Sequence, residues 1–165
     1  RWTDVIRYAA LRCPDFPLKV ISDEVHYYFG KSKKYYLSTM KKVIYTKNAP
    51  EAIGPYSQAI LSINTLYTSG QIAINPISGD LIMDSITNET HQVMKNLQAV
   101  LEAAEMSFSH VLKCTIFLKD MNQYADINSV YAEYFDENPP AREAVQVSVL
   151  PKNVNVEISL IAHKL

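Results

Sequence analysis

After Met40, the sequence contains six strand-like segments and only two helical ones, in the order strand, strand, strand, helix, strand, helix, strand, strand. Two helices can cover only one face of a mixed sheet of that size. The pattern therefore predicts an α+β domain with both helices on one face and a different cover on the other. The strand-like segments are residues 41–46, 56–63, 65–74, 110–120, 141–150 and 154–165, and the helical ones are 88–106 and 122–137.

The last strand-like segment shows how the two faces of the sheet differ. Alternate residues of a strand share a face, and one face here is fully apolar: Val154, Val156, Ile158, Leu160 and Ala162. The other face is half polar: Asn155, Glu157, Ser159 and Ile161. A half-polar face that no helix covers predicts self-association, with polar groups enclosed at the contacts between subunits.

Local patterns refine three of these segments. Residues 88–106 carry an apolar stripe at helical spacing, and Thr87 or Asn88 is the expected N-cap. Residues 110–120 are almost continuously apolar, which predicts a strand buried on both faces, with Cys114 as a small buried hydrophobe. Residues 122–137 carry apolar positions on one side, which predicts the second helix.

The composition changes near Met40. Residues 1–39 hold seven Lys/Arg and four Asp/Glu, a net charge of +3, whereas residues 41–165 hold nine and thirteen, a net charge of −4. We predict two parts: a weakly ordered N-terminal extension, residues 1–39, and a folded domain, residues 40–165. The extension begins with Arg, so it is not expected to be a natural start. It can be a flexible tail, a fragment of another domain, or upstream sequence joined to a domain that begins at Met40.

The totals exclude several classes of protein. The chain of 165 residues has two cysteines and no CxxC pair, so we expect no disulfide framework. We expect a reducing, cytoplasmic setting instead. The N-terminal residues lack the apolar core of a signal peptide, and no apolar run is long enough to span a membrane. The four histidines have no ligand spacing, so we expect no metal site.

Two charged residues of the folded domain are candidates for chemistry. Arg142 follows two prolines at the start of a strand, where its planar fork suits a carboxylate; the alternative is an ordinary surface ion pair. Glu157 lies within an apolar strand, where burial would raise its pKa and suit it to proton transfer. The alternative for Glu157 is a carboxylate that faces solvent.

Four further positions are weaker candidates. Tyr56 follows the rigid sequence IGP and can wall a pocket, or simply pack on the core. Asn128 interrupts an apolar helix stripe and is either a ligand contact or a polar surface residue. Ser69 and Gly70 end a strand, where a backbone N–H can meet a ligand.

Several motifs, taken together, resemble the Rid (YjgF) family, and specifically its RidA branch of reactive imine deaminases. They are IGPYSQ, TSGQI, PPAR and LPK followed by VEI, and they occur in order between residues 41 and 165. The resemblance implies a chorismate-mutase-like fold and a homotrimer with ligand clefts between subunits. It also implies hydrolysis of enamines and imines such as 2-aminoacrylate and 2-iminobutanoate to 2-oxo acids and ammonia, without a cofactor.

The resemblance also assigns roles to individual residues. By motif, Arg142 should clamp the substrate carboxylate, and Glu157 should position or activate the attacking water. The residues expected to line the cleft or lie beside the ligand are Tyr56, Ser69, Gly70, Asn128 and Ala144.

This sequence departs from the family pattern directly after the arginine. Many members carry a small hydroxyl residue and then a cysteine there, whereas this chain has Glu143 and Ala144. The Ala144 carbonyl can still accept a hydrogen bond from the substrate nitrogen, but a thiol has no role at this position. Glu143 adds a charge near the cleft, which leaves the preferred imine open.

Two other functions compete with the deaminase. Some relatives are described as ribonucleases or translation inhibitors, but the net charge of −4 on residues 41–165 argues against nucleic-acid binding. The same trimer can also serve as a non-enzymatic regulator that binds small metabolites.

Overall fold

The computed structural model describes residues 41–135 and 137–165 and, within residues 1–40, the backbone of three strands: β1 (Lys19–Ile21), β2 (Glu24–Phe29) and β3 (Lys33–Tyr36). The chain divides into two compact units, Arg1–Met40 and Lys41–Leu165. In the first unit, β1–β2 and β2–β3 pair antiparallel. The weak order expected for residues 1–39 falls largely outside the described residues and stays a prediction.

The second unit has the predicted order of strands and helices. Its strands are β4 (Lys42–Ile44), β5 (Ala59–Ser62), β6 (Thr65–Thr68), β7 (Val111–Leu118), β8 (Ala141–Gln146) and β9 (Val156–His163). Its helices are α1 (Ile86–Ala103), between β6 and β7, and α2 (Tyr124–Ala132), between β7 and β8. Short 3₁₀ turns cover Phe108–His110, Met121–Gln123 and Pro151–Asn153.

These six strands form one mixed sheet in the order β4-β5-β6-β9-β7-β8. Every neighbouring pair is antiparallel except β7–β8, which is parallel because α2 carries the chain back across the sheet. The predicted mixed sheet with two helices is therefore confirmed. Within the described residues, neither helix is both long enough and apolar enough to cross a lipid bilayer.

One face of the sheet and the two helices enclose the core. The predicted apolar face of β9 is confirmed, since Val156, Ile158 and Leu160 are at most 2% exposed. They share one cluster with the buried stripe of α1 and with Ile127 of α2. Burial of this apolar area is the main force that holds the helices on the sheet.

The opposite face of the sheet is only partly covered. The predicted burial of both faces of β7 is wrong for the single chain, because Lys113, Thr115 and Phe117 are only half-buried and Leu112 is 57% exposed. Cys114, on the core face, is 1% exposed, as expected. The almost continuous apolar run predicted that both faces of β7 are buried, whereas this chain alone buries only the core face.

The helix boundaries differ from the predicted ones. Ser85 caps α1 by accepting a hydrogen bond from the backbone N–H of Asn88, so neither Thr87 nor Asn88 is the cap. The second helix ends at Ala132 rather than at residue 137, and a 3₁₀ turn, rather than α-helix, covers Met121–Gln123. Asp120 starts that turn by accepting from the backbone N–H of Asn122 at 2.9 Å.

A buried carboxylate fixes the start of β9. Glu89, in the first turn of α1, is 0% exposed. Its carboxylate accepts from the backbone N–H of Asn155 at 2.7 Å, from the Asn155 side-chain amide at 2.8 Å and from the Val156 N–H at 3.3 Å. This carboxylate sets the position of β9 just before Glu157.

Glu89→Ala is expected to lower the free energy of unfolding by about 3 kcal/mol, because it leaves one buried donor and two part-buried donors without their acceptor. Glu89→Gln, which keeps one acceptor oxygen, should lose less. Glu102→Ala is the matched control, since Glu102 is an exposed glutamate on the same helix. Thermal or urea unfolding measures the difference, and equal losses for the Glu89 and Glu102 variants would contradict the role of the buried carboxylate.

Candidate functional site

Glu157 lies on the partly covered face of the sheet. Its neighbours Val156 and Ile158 point into the core, so the side chain of Glu157 points the other way and is half-buried. It lines a cleft of about 340 Å³ together with three other predicted site residues, Tyr56, Ser69 and Gly70. The structure thus brings these four residues together.

Gly70 is a glycine because the Glu157 side chain occupies the space beside it. A Cβ at position 70 would lie 2.7 Å from Cδ and 2.9 Å from Cγ of Glu157, and would overlap its carboxylate oxygen. Any other residue at position 70 would have to displace the carboxylate. Gly70 therefore allows Glu157 to lie close to the backbone at the floor of the cleft.

The mouth of the cleft is a loop held by Gln58, which is 3% exposed. Its amide donates to the carbonyls of Thr46, Ala49 and Pro50 at 2.8–3.1 Å, and its oxygen accepts from the Thr46 N–H at 2.7 Å. These bonds give fixed partners to backbone that a loop of this kind would otherwise leave unpaired.

Tyr56 and Ser69 differ in how much hydrogen-bonding capacity they retain. Tyr56 is 48% exposed, and its hydroxyl oxygen accepts only a long bond, 3.4 Å, from the Ile53 N–H. Ser69 donates its hydroxyl to the Ser57 carbonyl at 2.7 Å and its N–H to the Gln58 carbonyl at 2.9 Å. The Ser69 N–H is therefore already used within the chain, and the contact expected between the backbone of Ser69 and Gly70 and a ligand stays a prediction.

Burial raises the pKa of Glu157 above the ordinary glutamate value. A carboxyl group with a raised pKa holds and releases a proton closer to neutral pH than an exposed one. The raised pKa also means that an ionised Glu157 lowers the free energy of unfolding, because ionising this group is harder in the folded protein than in the unfolded chain. The contribution of protonated Glu157 to the free energy of unfolding is fully present below the ordinary glutamate pKa. It is lost as the pH rises through the raised pKa of the folded state.

We therefore expect Glu157→Gln to raise the midpoint of thermal unfolding at neutral pH, by roughly 2 °C. The difference should vanish near pH 3, well below the ordinary glutamate pKa, where Glu157 is protonated in both states. Melting curves across this pH range measure it, with the exposed Glu102→Gln as control. A shift that is equal at every pH would mean that packing, rather than ionisation, sets the effect.

Arg142 occupies a second site, on the core face of the sheet edge. Its Nη1 donates to Asn128 Oδ1 at 2.7 Å, and its Nη2 donates to the Tyr124 hydroxyl oxygen at 2.6 Å. Its Cζ lies 4.8 Å from the centre of the Tyr131 ring, within the range of a cation–π contact. Within residues 41–135 and 137–165, no carboxylate lies within 4.0 Å of this guanidinium.

Arg142 and Glu157 point to opposite faces of the sheet. Arg142 is in register with Cys114 on β7, which is in register with Leu160 on β9, and both of these partners are buried in the core. Glu157 is in register with Phe117, on the other face. The structure thus separates the predicted residues into two groups, Glu157 with Tyr56, Ser69 and Gly70, and Arg142 with Asn128.

Ala144 shares the face of Arg142, two residues further along β8. Its side chain is half-buried against the core. Cys114, on the adjacent strand, does not replace the thiol that the family pattern has at position 144. It is 1% exposed, and burial raises its pKa, so its thiolate is disfavoured.

Glu143 points away from Arg142. Its carboxylate lies 3.1 Å from Lys113 Nζ and accepts from the Thr115 hydroxyl at 3.0 Å. The hydrogen bond from Lys113 holds the pKa of Glu143 below its usual value. The extra negative charge in the sequence is therefore compensated by Lys113, on the face opposite the guanidinium.

Tyr124 and Tyr131 were not predicted as site residues. Both lie on α2 with Asn128, at spacings of four and three residues, so one helix face presents all three to Arg142. The helical spacing of the two tyrosines and the asparagine could have indicated a site. The same spacing is equally typical of an apolar helix face with one polar residue.

Comparisons with known proteins identify related sequences. Residues 46–164 match the sequence model of the family described as endoribonuclease L-PSP. The chain is 54% identical over 125 residues to a RutC family protein of Pyrococcus horikoshii, covering 76% of this chain and 99% of that one. It is 45% identical over 125 residues to a human protein named 2-iminobutanoate/2-iminopropanoate deaminase, and the match covers 76% of this chain and 91% of the human protein.

A solved structure is also similar. The structure of a Rid family protein from Yersinia pestis superposes with a TM-score of 0.73 at 50% identity, and covers 75% of this chain and 99% of that one. The residues that match the family model, 46–164, lie within the second compact unit.

Proposed function

Because this chain belongs to the Rid (YjgF) family, we propose that it hydrolyses reactive 2-imino acids, such as 2-iminobutanoate and 2-iminopropanoate, to 2-oxo acids and ammonia. The observation that carries the proposal is the oriented guanidinium of Arg142, whose fork is matched to a carboxylate. A relative with 45% identity carries the name of this activity.

The opposite orientations of Arg142 and Glu157 lead us to place the site between two copies of the chain. The Glu157 cleft is lined by two carboxylates, Glu51 and Glu157, and by no Lys or Arg of the described residues. An anionic substrate there needs a cation from elsewhere. We propose that the β8 edge of a second copy supplies Arg142, in a chorismate-mutase-like homotrimer whose half-polar sheet faces meet.

The proposed reaction adds water across the C=N bond of the substrate. Arg142 holds the carboxylate, and Glu157 accepts a proton from the water as its oxygen bonds to C2 and the C=N π electrons move to nitrogen. Glu157 then returns the proton to nitrogen. Glu157 next carries the proton of the new hydroxyl group to the same nitrogen. The C–N bond then breaks, ammonia leaves with the bonding electron pair, and the oxygen forms the C=O of the 2-oxo acid.

Other residues of the two groups complete the proposed site. Tyr56 walls the cleft, and Ser69 and Gly70 form its floor beside the ligand, where the Ser69 hydroxyl oxygen is still able to accept a hydrogen bond. On the arginine side, Asn128 orients Arg142, and in the proposed complex the Ala144 carbonyl accepts a hydrogen bond from the substrate nitrogen. The chemistry asks for a carboxylate receptor, a water and a proton carrier, so we expect no cofactor.

The description of the family model makes ribonuclease activity the second candidate. Two carboxylates in the cleft and a net charge of −4 on residues 41–165 both oppose the binding of phosphates, so we expect no nucleic-acid partner. A non-enzymatic regulator of the same architecture would bind 2-oxo or 2-imino acids without converting them.

A coupled assay tests the proposal. A dehydratase generates 2-iminobutanoate from threonine, and the release of 2-oxobutanoate is timed with and without this protein. We expect faster release in proportion to the protein added. If the folded protein binds 2-oxobutanoate but gives no acceleration, the regulator is the better description; cleavage of RNA without acceleration would favour the ribonuclease.

A further inference from the structure

The guanidinium of Arg142 is restrained by two hydrogen bonds and by a cation–π contact with an aromatic ring. In the plane, Nη1 and Nη2 each donate to one acceptor, Asn128 Oδ1 and the Tyr124 hydroxyl oxygen. Across the plane, Cζ lies 4.8 Å from the centre of the Tyr131 ring. An arginine side chain has several freely rotating bonds, and these contacts select one orientation of its end group.

This orientation matters because the two hydrogen bonds leave three of the five guanidinium N–H groups for a ligand. A carboxylate gains its two parallel hydrogen bonds only when both of its oxygens meet two N–H groups in one plane. The direction of the fork therefore decides the affinity for a carboxylate, whereas a point charge in the same place would give attraction without direction.

Tyr124 is anchored to the strand that carries Arg142. It is the first residue of α2, and the turn before it is tied to the end of β8, because the Met121 N–H donates to Gln146 Oε1 at 2.9 Å. Asp120 holds the same turn through the Asn122 N–H. The hydroxyl of Tyr124 and the guanidinium thus belong to one connected unit.

From these contacts we propose that Tyr124 is a positioning residue, whose hydroxyl fixes the direction of the Arg142 fork and so sets the affinity of the site for carboxylate ligands. The inference rests on the proposed function and extends it, since it concerns how the carboxylate receptor is built. Asn128 alone restrains only Nη1; Tyr124 restrains Nη2, so that the fork cannot turn about the Nη1 contact.

Tyr124→Phe tests the inference, because it keeps the ring and removes only the hydroxyl. We expect the KM for 2-iminobutanoate and the Kd for 2-oxobutanoate to rise about tenfold, while kcat stays within about twofold. The Kd for 2-oxobutanamide, which lacks the carboxylate, should not change. Titration calorimetry gives the two Kd values without requiring turnover.

Tyr134→Phe is the matched control, because it removes a tyrosine hydroxyl that bonds to His91 Nδ1 at 3.0 Å, rather than to Arg142. It should leave both Kd values and KM unchanged. The inference is overturned if Tyr124→Phe binds 2-oxobutanoate as tightly as the wild type does. It is equally overturned if the oxo acid and its amide weaken to the same degree, since the effect would then be unrelated to the fork.

Binding separates this inference from the proposed function. A wild type that binds 2-oxobutanoate but does not accelerate imine hydrolysis rejects the deaminase and leaves the Tyr124 comparison decisive. A wild type that binds no 2-oxobutanoate rejects the carboxylate receptor, and the role of Tyr124 with it.

A spectroscopic measurement on the wild type tests the restraint of the guanidinium even if the variant does not fold. Arg142 is the only arginine after residue 12 in the sequence, so its guanidinium signals can be assigned by NMR. Restrained rotation predicts separate signals for the Nη protons in the wild type, and their merging in Tyr124→Phe. Merged signals in the wild type itself would contradict the proposed restraint.

Discussion

Replacing Arg142 with alanine is expected to lower kcat/KM for 2-iminobutanoate by about two to three orders of magnitude. The substrate would lose two charge-assisted hydrogen bonds, and nothing in the Glu157 cleft can replace them, because its charged lining residues are the carboxylates Glu51 and Glu157. Arg142→Lys should recover only part of the loss, since a lysine restores the charge but not the planar fork.

The fold should tolerate this change. Arg142 is half-buried at the sheet edge, so water can replace its hydrogen bonds to Asn128 and Tyr124. Lys95→Ala, which removes an exposed positive charge from α1, is the control for a general effect of charge. Full activity of a folded Arg142→Ala variant would remove Arg142 from the site and leave the carboxylate without a receptor.

The faces of β9 could be predicted from the sequence because a strand has a period of two. The alternation from Val154 to Ala162 placed the core face correctly, and it placed Glu157 on the opposite face. On β7 the same reasoning failed, because its second face, which carries Lys113, Thr115 and Phe117, is only half-buried within the described chain. Periodicity reports that a face should be buried, whereas it carries no information about which molecule buries it.

Helix boundaries were less predictable, because several neighbouring residues could serve as caps. Ser85, Thr87 and Asn88 all have a side chain that can accept from a helix N–H. The choice of Ser85 places Glu89 in the first turn of α1, where its carboxylate meets the backbone of Asn155 and Val156. The contact between Glu89 and Asn155, which are 66 residues apart in sequence, thus depends on where α1 begins, and helix propensity alone does not determine that position.

The candidate site could be predicted as a set of residues but not as an arrangement. Arg142 and Glu157 stood out because charges are uncommon where a strand is otherwise apolar. Their opposite orientations depend on the register of β7 with β8 and β9, which the sequence does not show. The hydroxyl of Tyr124 was missed for a related reason, since only the fold brings it to the guanidinium.

The opposite orientations lead to a prediction about mixtures of subunits. Glu157→Gln alone should lower kcat by about a hundredfold or more, since it removes the proton carrier, and it should change KM little. Arg142→Ala is expected to be nearly inactive for a different reason. If each site takes Arg142 from one copy and Glu157 from the next, a mixed trimer contains some sites in which both residues are intact.

The yield of such sites follows from counting. In trimers assembled at random from equal amounts of the two variants, a site is intact when one particular neighbour carries Arg142 and the other carries Glu157, which happens for about a quarter of the sites. Co-refolding the two variants and measuring 2-oxobutanoate release should therefore restore about a quarter of the wild-type activity, whereas each variant refolded alone should keep only about a hundredth or less. If both residues served the same site from one chain, the mixture would stay as inactive as its components, because no subunit in it carries both. The recovered fraction thus discriminates between a site built within one chain and a site built between two.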